Sequence, residues 1–306
     1  MRRSLVWLVI GALALLPWAL GNRYVFHVAT MIAIMIPLAL GMNLMLRIGQ
    51  LSFAHPAFMG IGAYAGALLA LRLGLPTSLS LLAGGVLAGL CALLLGPVFL
   101  RIKGVYFVLL TYAFGQIVNL VFQEWTSVFG GNSGIYGIPK LSLFGFRLTA
   151  VQHYYVVGLV FTAATYWAMR AIERSDMGAI YESLNENETL SRSIGANALA
   201  WRITAFTFSA FVAGVSGGIY AFYIGFLSPD PFGFGLAVNL VVINVIGGTN
   251  SVLGPLLGAI IVVPLPEILR EARQYQLLIY GLCLIVFLIF IKQGLLSLIF
   301  RRRSPA

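Results

Sequence analysis

No Asp or Glu occurs before Glu124, so the first 123 residues carry long apolar blocks with nothing acidic to solvate them. Over the whole chain of 306 residues, 60% are hydrophobic and 9% charged, whereas a water-soluble domain carries roughly 25% charged residues. This excludes an ordinary cytosolic enzyme, and only a bilayer makes such a chain sensible.

A membrane-crossing helix needs about 20 mainly apolar residues to span a core of roughly 30 Å. That ruler predicts ten segments, at about 4–21, 25–46, 50–71, 79–100, 105–122, 151–170, 203–225, 236–248, 253–269 and 277–292. The fold class expected is therefore all-α, a polytopic transmembrane helical bundle in a single domain over 1–306. The eighth segment is short and the third carries His55-Pro56 near its start. Interrupted segments are tolerated at membrane depth only where they are buried in protein or line a cavity, so a pathway is expected at these two.

Orientation follows from the distribution of Lys and Arg among the loops. With both termini cytoplasmic, the inner side holds 13 of the 19 basic residues, among them Arg47, Arg101, Lys103, Arg170 and Arg202. The outer side keeps Arg23, Arg72, Lys140, Arg147, Arg270 and Arg273. The first apolar run also resembles a signal peptide ending Ala19-Leu20-Gly21, but a retained helix is the reading adopted. The net charge of +10 does not point to nucleic acid, because the cations lie in small groups between apolar runs and not on one solvated face.

Three connections stand out. Residues 123–150 form a Gly-rich outer (periplasmic) loop, residues 226–235 with Pro229-Asp230-Pro231 a rigid outer turn, and residues 171–202 an inner polar loop with five of the nine acids. The last is long enough for two short helices and is the expected docking surface for a cytosolic partner. A faint internal repeat matches Gly49, Ser52 and Pro56 with Gly248, Ser251 and Pro255. Small residues four apart, Gly62 with Gly66, Gly85 with Gly89, Gly214 with Gly218 and Gly254 with Gly258, suit close helix packing in lipid.

Several chemistries are poorly supplied. A phosphate-binding loop needs Gly before Lys, whereas Lys103, Lys140 and Lys292 follow Ile102, Pro139 and Ile291, so ATP would have to be used by another subunit. Glu267 is the only acid inside a predicted span, and pairing with Arg270 is expected of it rather than proton relay. His27, His55 and His153 sit in different segments with no second ligand at helical spacing, so no metal site or cofactor is expected. Cys91 and Cys283 read as small buried hydrophobes.

Residues 49–64, from Gly49-Gln50-Leu51-Ser52 through His55-Pro56 to Ala63-Tyr64, resemble the signature of the branched-chain amino acid ABC transporter permeases of the LivM type. Arg101-Ile102-Lys103-Gly104-Val105-Tyr106-Phe107, followed by Gly130-Gly131 and Gly137-Ile138-Pro139, is similar to the same permeases, as is the run from Gly247-Gly248-Thr249-Asn250-Ser251 to Ala259. The likeness runs in the family's order from about 37 to 292. It implies a multi-pass permease of the bacterial inner membrane, working with a second homologous permease subunit, two cytosolic ABC ATPases and a periplasmic solute-binding protein, and importing branched-chain amino acids. Permeases for urea or short-chain amides share these motifs, and a self-contained channel or ion-coupled carrier is the reading from a different class.

In this family the inner loop holds a coupling helix that sits in a cleft of the ATPase. The matching stretch here is 182–195, where Glu186, Glu188 and Gly195 agree with the pattern, while Glu182 and Asn185 replace the basic residues usual there. Gly195 is expected to end that helix as a C-terminal glycine does. For an aliphatic amino acid the path should be mainly apolar with a polar minority, for which the candidates are Gln50, Ser52, His55, Asn244 and Ser251. His55 also has a purely structural reading, bonded to a carbonyl freed by the neighbouring proline.

Overall fold

The computed structural model describes residues 11, 14–143, 145–188, 191, 197–269, 275, 278–282 and 285. Half of the first predicted span, most of the last, Arg270 and Gly195 lie outside these residues. Five described helices are long and apolar enough to cross a membrane: α1 (Arg23–Arg47), α3 (Thr77–Phe99), α4 (Val105–Glu124), α5 (Val151–Arg174) and α7 (Ala198–Ile224). Between α1 and α3 runs α2 (His55–Arg72), and between α5 and α7 lies the short α6 (Asp176–Glu186). The chain then continues through α8 (Phe234–Gly247), α9 (Gly254–Val262) and α10 (Pro264–Ile268).

Local chemistry sets these boundaries. The Asn22 side chain accepts from Tyr24 N at the start of α1, and Asn197 does the same for Ala200 N at the start of α7. At the end of α1, Gln50 N donates to Met45 O and Gly49 N to Leu46 O, with Gly49 at φ +73°. That is the Schellman pattern, in which glycine takes the left-handed position without a Cβ clash. The third predicted span, 50–71, is helical only from His55, because the turn through 48–54 precedes Pro56 at the second helical position. The ninth, 253–269, is split into α9 and α10 ahead of Pro264.

The centre of the bundle is α7, packed against α3, α2 and α1, with 78% of its most apolar window buried against 22% for α4 and 33% for α5. Glycines make that centre possible. A Cβ on Gly62 would strike the Gly214 backbone, one on Gly84 the Gly62 carbonyl, and one on Gly217 the Met59 carbonyl. Three of the four expected glycine pairs therefore lie on helices α2, α3 and α7, which approach backbone to backbone and gain dispersion contacts where no hydrophobic effect drives them together. The outward faces of α3 and α4 carry Leu82, Leu90, Leu94, Leu109 and Ile117 exposed, as a lipid-contacting surface requires.

The segment 123–150 is a built cap. Ile135–Tyr136 pairs antiparallel with Phe226–Leu227, Ser142–Leu143 pairs with Phe146–Arg147, and Arg72 donates to the carbonyls of Ser127 and Val128. The segment 226–235 does more than turn at this end. Its 3-10 turn Asp230–Phe232 descends beside α4, where Asn119 Nδ2 donates to Pro229 O at 2.9 Å, and the Phe234 ring reaches Tyr112 at 5.2 Å. Consequently α8 begins about half-way along α4 and, at 14 residues, is about 21 Å long, which explains why the eighth apolar run is short.

Candidate functional site

The two interrupted segments have the same local build. Gly49 and Gly248 both take positive φ, +73° and +108°. Ser52 Oγ accepts from Ala54 N and Ser251 Oγ from Leu253 N, each at 3.3 Å. Pro56 and Pro255 then occupy the second position of α2 and α9. The repeat seen in sequence is thus a repeated helix break: glycine ends one helix, serine ties the turn and proline opens the next.

A pair of buried asparagines ties α1 to α8 and to the second break. Asn43 Nδ2 donates to Asn244 Oδ1 and to Thr249 O, both at 3.0 Å, and Asn244 Nδ2 donates to Ala39 O and Leu240 O at 3.1 and 2.9 Å. Both residues are fully buried; both side-chain groups of Asn244 are bonded, whereas Asn43 Oδ1 has no partner among the described residues. Sequence reasoning picked out Asn244 and missed Asn43, although a lone Asn in the apolar run of α1 was the available signal.

Of the other pathway candidates, Gln50, Ser52 and His55 are buried, with His55 Nδ1 3.3 Å from Ser52 O, while Ser251 is partly exposed. Gln50 Oε1 and His55 Nε2 have no hydrogen-bond partner among the described residues. The structure brings Ser52 and His55 together and places Asn244 on the other break. None of these five residues lines the cavity or groove described below.

The polar segment after α5 folds under the bundle end that carries Arg47. On α6, Tyr181 and Leu184 are buried, the Tyr181 hydroxyl pairs with Thr204 Oγ1 at 3.1 Å, and Glu182 and Glu186 are exposed. The helix starts six residues before the stretch matched to the coupling helix and stops at Glu186, where Asn187 turns extended; residues 188 and 191 are helical again. Asn185 packs against Gly49, at which a Cβ would sit 2.8 Å from Asn185 Oδ1. The first helix break and α6 are therefore in direct contact.

Glu188 is engaged within the chain. Its carboxylate lies 2.5 Å from Lys103 Nζ and 2.8 Å from Arg202 Nη2. Burial pushes this carboxyl up, but the two cations outweigh it and hold the group down at about 2. Glu188 thereby clamps the 101–104 turn to the start of α7. Nearby, Glu173 receives both Arg47, at 2.9 Å, and Arg170, fastening the end of α1 to the end of α5.

Two concavities lie next to these groups. A cavity of about 250 Å³ at the α6 end is lined by Arg47, Glu173, Tyr181, Glu182, Asn185 and Asn250, among others. A shallow groove on the α4–α8 face is lined by Phe53, Pro56, Tyr112, Gly115, Gln116 and Phe234, among others. Among the described residues no group of three or more His, Cys, Asp or Glu side chains is placed to hold a metal ion. What the arrangement offers is two helix breaks and one polar helix packed against the first of them.

Comparison with known proteins agrees with that reading. Residues 24–290 match the family model described as branched-chain amino acid transport system / permease component. The chain is 33% identical over 301 residues to the high-affinity branched-chain amino acid transport system permease protein LivM of Escherichia coli (strain K12), covering 90% of this chain and 71% of that one. The corresponding protein of Salmonella typhimurium is 32% identical over the same shares. A more limited likeness, 27% over 126 residues and 38% of this chain, is to the autoinducer 2 import system permease protein LsrC of Yersinia pestis. No solved structure matches. With the family model covering most of its length and its helix breaks falling on the motifs that carry the resemblance, the chain belongs to the branched-chain amino acid transport system permease family.

Proposed function

We propose that this chain is the transmembrane permease subunit of an ATP-binding cassette importer that takes up branched-chain amino acids handed over by a periplasmic binding protein. The observation that carries the reading is the likeness to LivM over 90% of the chain. The chain would sit in the bacterial inner membrane as a multi-pass protein of about ten segments with both termini inside, placing 171–202 in the cytoplasm and 123–150 in the periplasm. Beside a second homologous permease it would form half of a gated path. Two cytosolic ABC ATPases would supply the energy, since no Gly-Lys phosphate loop occurs in this sequence.

The mechanism follows from the contacts. Through Glu182, Glu186 and the residues up to Gly195, the α6 region would receive ATPase movement. The packing of Asn185 on Gly49 passes it to the first break, and the Asn43–Asn244 bridge passes it to the second. Glu188 would act from behind, holding the segment in register through Lys103 and Arg202, and Gln50, Ser52, His55 and Ser251 would shape the breaks. The test is co-expression with the neighbouring ATPases and second permease, followed by capture on a tag at this chain. ATP hydrolysis should co-purify with the assembly and be missing from the chain alone. Sodium- or proton-gradient-driven uptake by the chain alone would instead move it to the carrier class.

A further inference from the structure

Gln116 and Tyr112 lie on the outward face of α4, one turn apart, and both are exposed; Gln116 Nε2 donates to the Tyr112 hydroxyl at 2.8 Å. They stand 11 and seven residues into a 20-residue apolar helix, so in a bilayer they would lie near mid-depth. One mutual hydrogen bond satisfies only part of their donors and acceptors, and lipid tails offer nothing for the rest. The same helix also puts Leu109, Ile117 and Leu120 outward, so the polar pair is a local departure from a lipid-facing surface.

What surrounds the pair is a groove. Gly115 leaves its floor open, since a Cβ there would meet only Phe53 O, at 3.5 Å. The walls are aromatic: Phe53 stands 5.7 Å from Phe234, and Phe234 5.2 Å from Tyr112, edge to face in both cases. Phe53 belongs to the first break and Phe234 opens α8, so this surface is continuous with the parts of the fold that can hinge. An aromatic wall with one amide–phenol pair suits a small solute with an aliphatic body and a polar head. No acid lines the groove among the described residues, so it holds no donor set for a metal cation.

We propose that the α4–α8 groove, with Phe53, Tyr112, Gly115, Gln116 and Phe234, is this chain's wall of the solute path, and that a second permease of the same kind closes it from the opposite side. The solute class, an aliphatic amino acid, rests on the function proposed above; the wall itself rests on the groove. On this account the specificity of the path belongs to Gln116 and the aromatic residues, and the buried Ser52, His55 and Asn244 act through the breaks.

The experiment uses the full complex in proteoliposomes, with Cys91 and Cys283 replaced by Ser. Gln116→Cys is compared with Leu94→Cys, an exposed site on the outer face of α3, using a small charged methanethiosulfonate reagent. Gln116→Cys should be modified at least tenfold faster than Leu94→Cys, and added leucine with its receptor and ATP should slow that reaction. Gly115→Leu, which fills the groove, should cut leucine uptake more than tenfold while the ATPases still co-purify. Equal inertness of the two cysteines, or full uptake by Gly115→Leu, would overturn the proposal. If the wild-type complex moves no amino acid, the substrate reading fails, and the difference in thiol reactivity still decides whether the groove faces water.

Discussion

Replacing Glu188 by Gln tests the clamp beneath the bundle, and its size can be worked from the structure. The ordinary carboxyl value of 4.5 falls to about 2 at this site, which corresponds to about 3 kcal/mol favouring the ionised form. Lys103 is 55% exposed, so its share is that of a surface pair, about 1 kcal/mol or less. Most of the effect belongs to Arg202, which is 4% exposed, and stripping a buried cation of its counter-charge costs about 3–5 kcal/mol. Because the Gln carbonyl can still accept from that guanidinium, a loss of about 2 kcal/mol is expected at neutral pH. The native value lies below the unfolded one, so the contribution is complete above 4.5 and fades as pH falls towards 2. The assay is thermal unfolding of the purified protein in detergent at pH 7 and at steps down to pH 3. Glu188→Gln should melt lower at pH 7, and its melting temperature should fall less than that of the wild type on acidification. Equal melting at pH 7 with parallel acid profiles would refute the clamp.

Three further outcomes follow from the same geometry. Asn43→Leu and Asn244→Leu, taken singly and together in a stability cycle, should show coupling of about 0.6 kcal/mol or more, and strict additivity would mean that the 3.0 Å bridge between them contributes nothing. Gly217→Leu, whose side chain would run into the Met59 carbonyl, should sharply reduce folded protein in detergent extracts, whereas Gly235→Leu, with nothing within 4 Å, should extract like the wild type. In a cysteine-free background, Lys140→Cys should react with an impermeant thiol reagent from outside whole cells and Asn187→Cys only after the inner face is opened; labelling of both from one side would overturn the proposed orientation.

Much of this architecture was legible from simple rules, and the gaps have physical reasons. Long apolar runs located α1, α3, α4, α5 and α7 to within a few residues because hydrophobic length alone decides a membrane helix. Pro56 marked the first break, and the faint repeat of Gly49, Ser52 and Pro56 at Gly248, Ser251 and Pro255 pointed to the second. The depth of 226–235 was not legible: Pro229-Asp230-Pro231 specifies a turn, and only Asn119 and the aromatic rings of Tyr64, Tyr112 and Phe232 determine how far it descends. Burial of Ser52 was equally hidden, because a polar residue at a helix break looks the same in sequence whether it faces solute or ties the turn, whereas the structural reading of His55 matches its contact with Ser52 O, the carbonyl that Pro56 leaves without a donor. The engagement of Glu188 by Lys103 and Arg202 depends on residues 85 and 14 positions away, beyond the reach of local spacing.

The central claim is that this chain transports only as part of an ATP-driven assembly. The most direct measurement is uptake of radiolabelled leucine into proteoliposomes holding this permease, its partner permease and the ATPases, with ATP on the ATPase side and the solute-binding protein on the other. Uptake should require all four kinds of subunit and ATP, and should stop when any one is left out. Accumulation by vesicles containing this chain alone, or uptake unaffected by removal of ATP, would contradict the account.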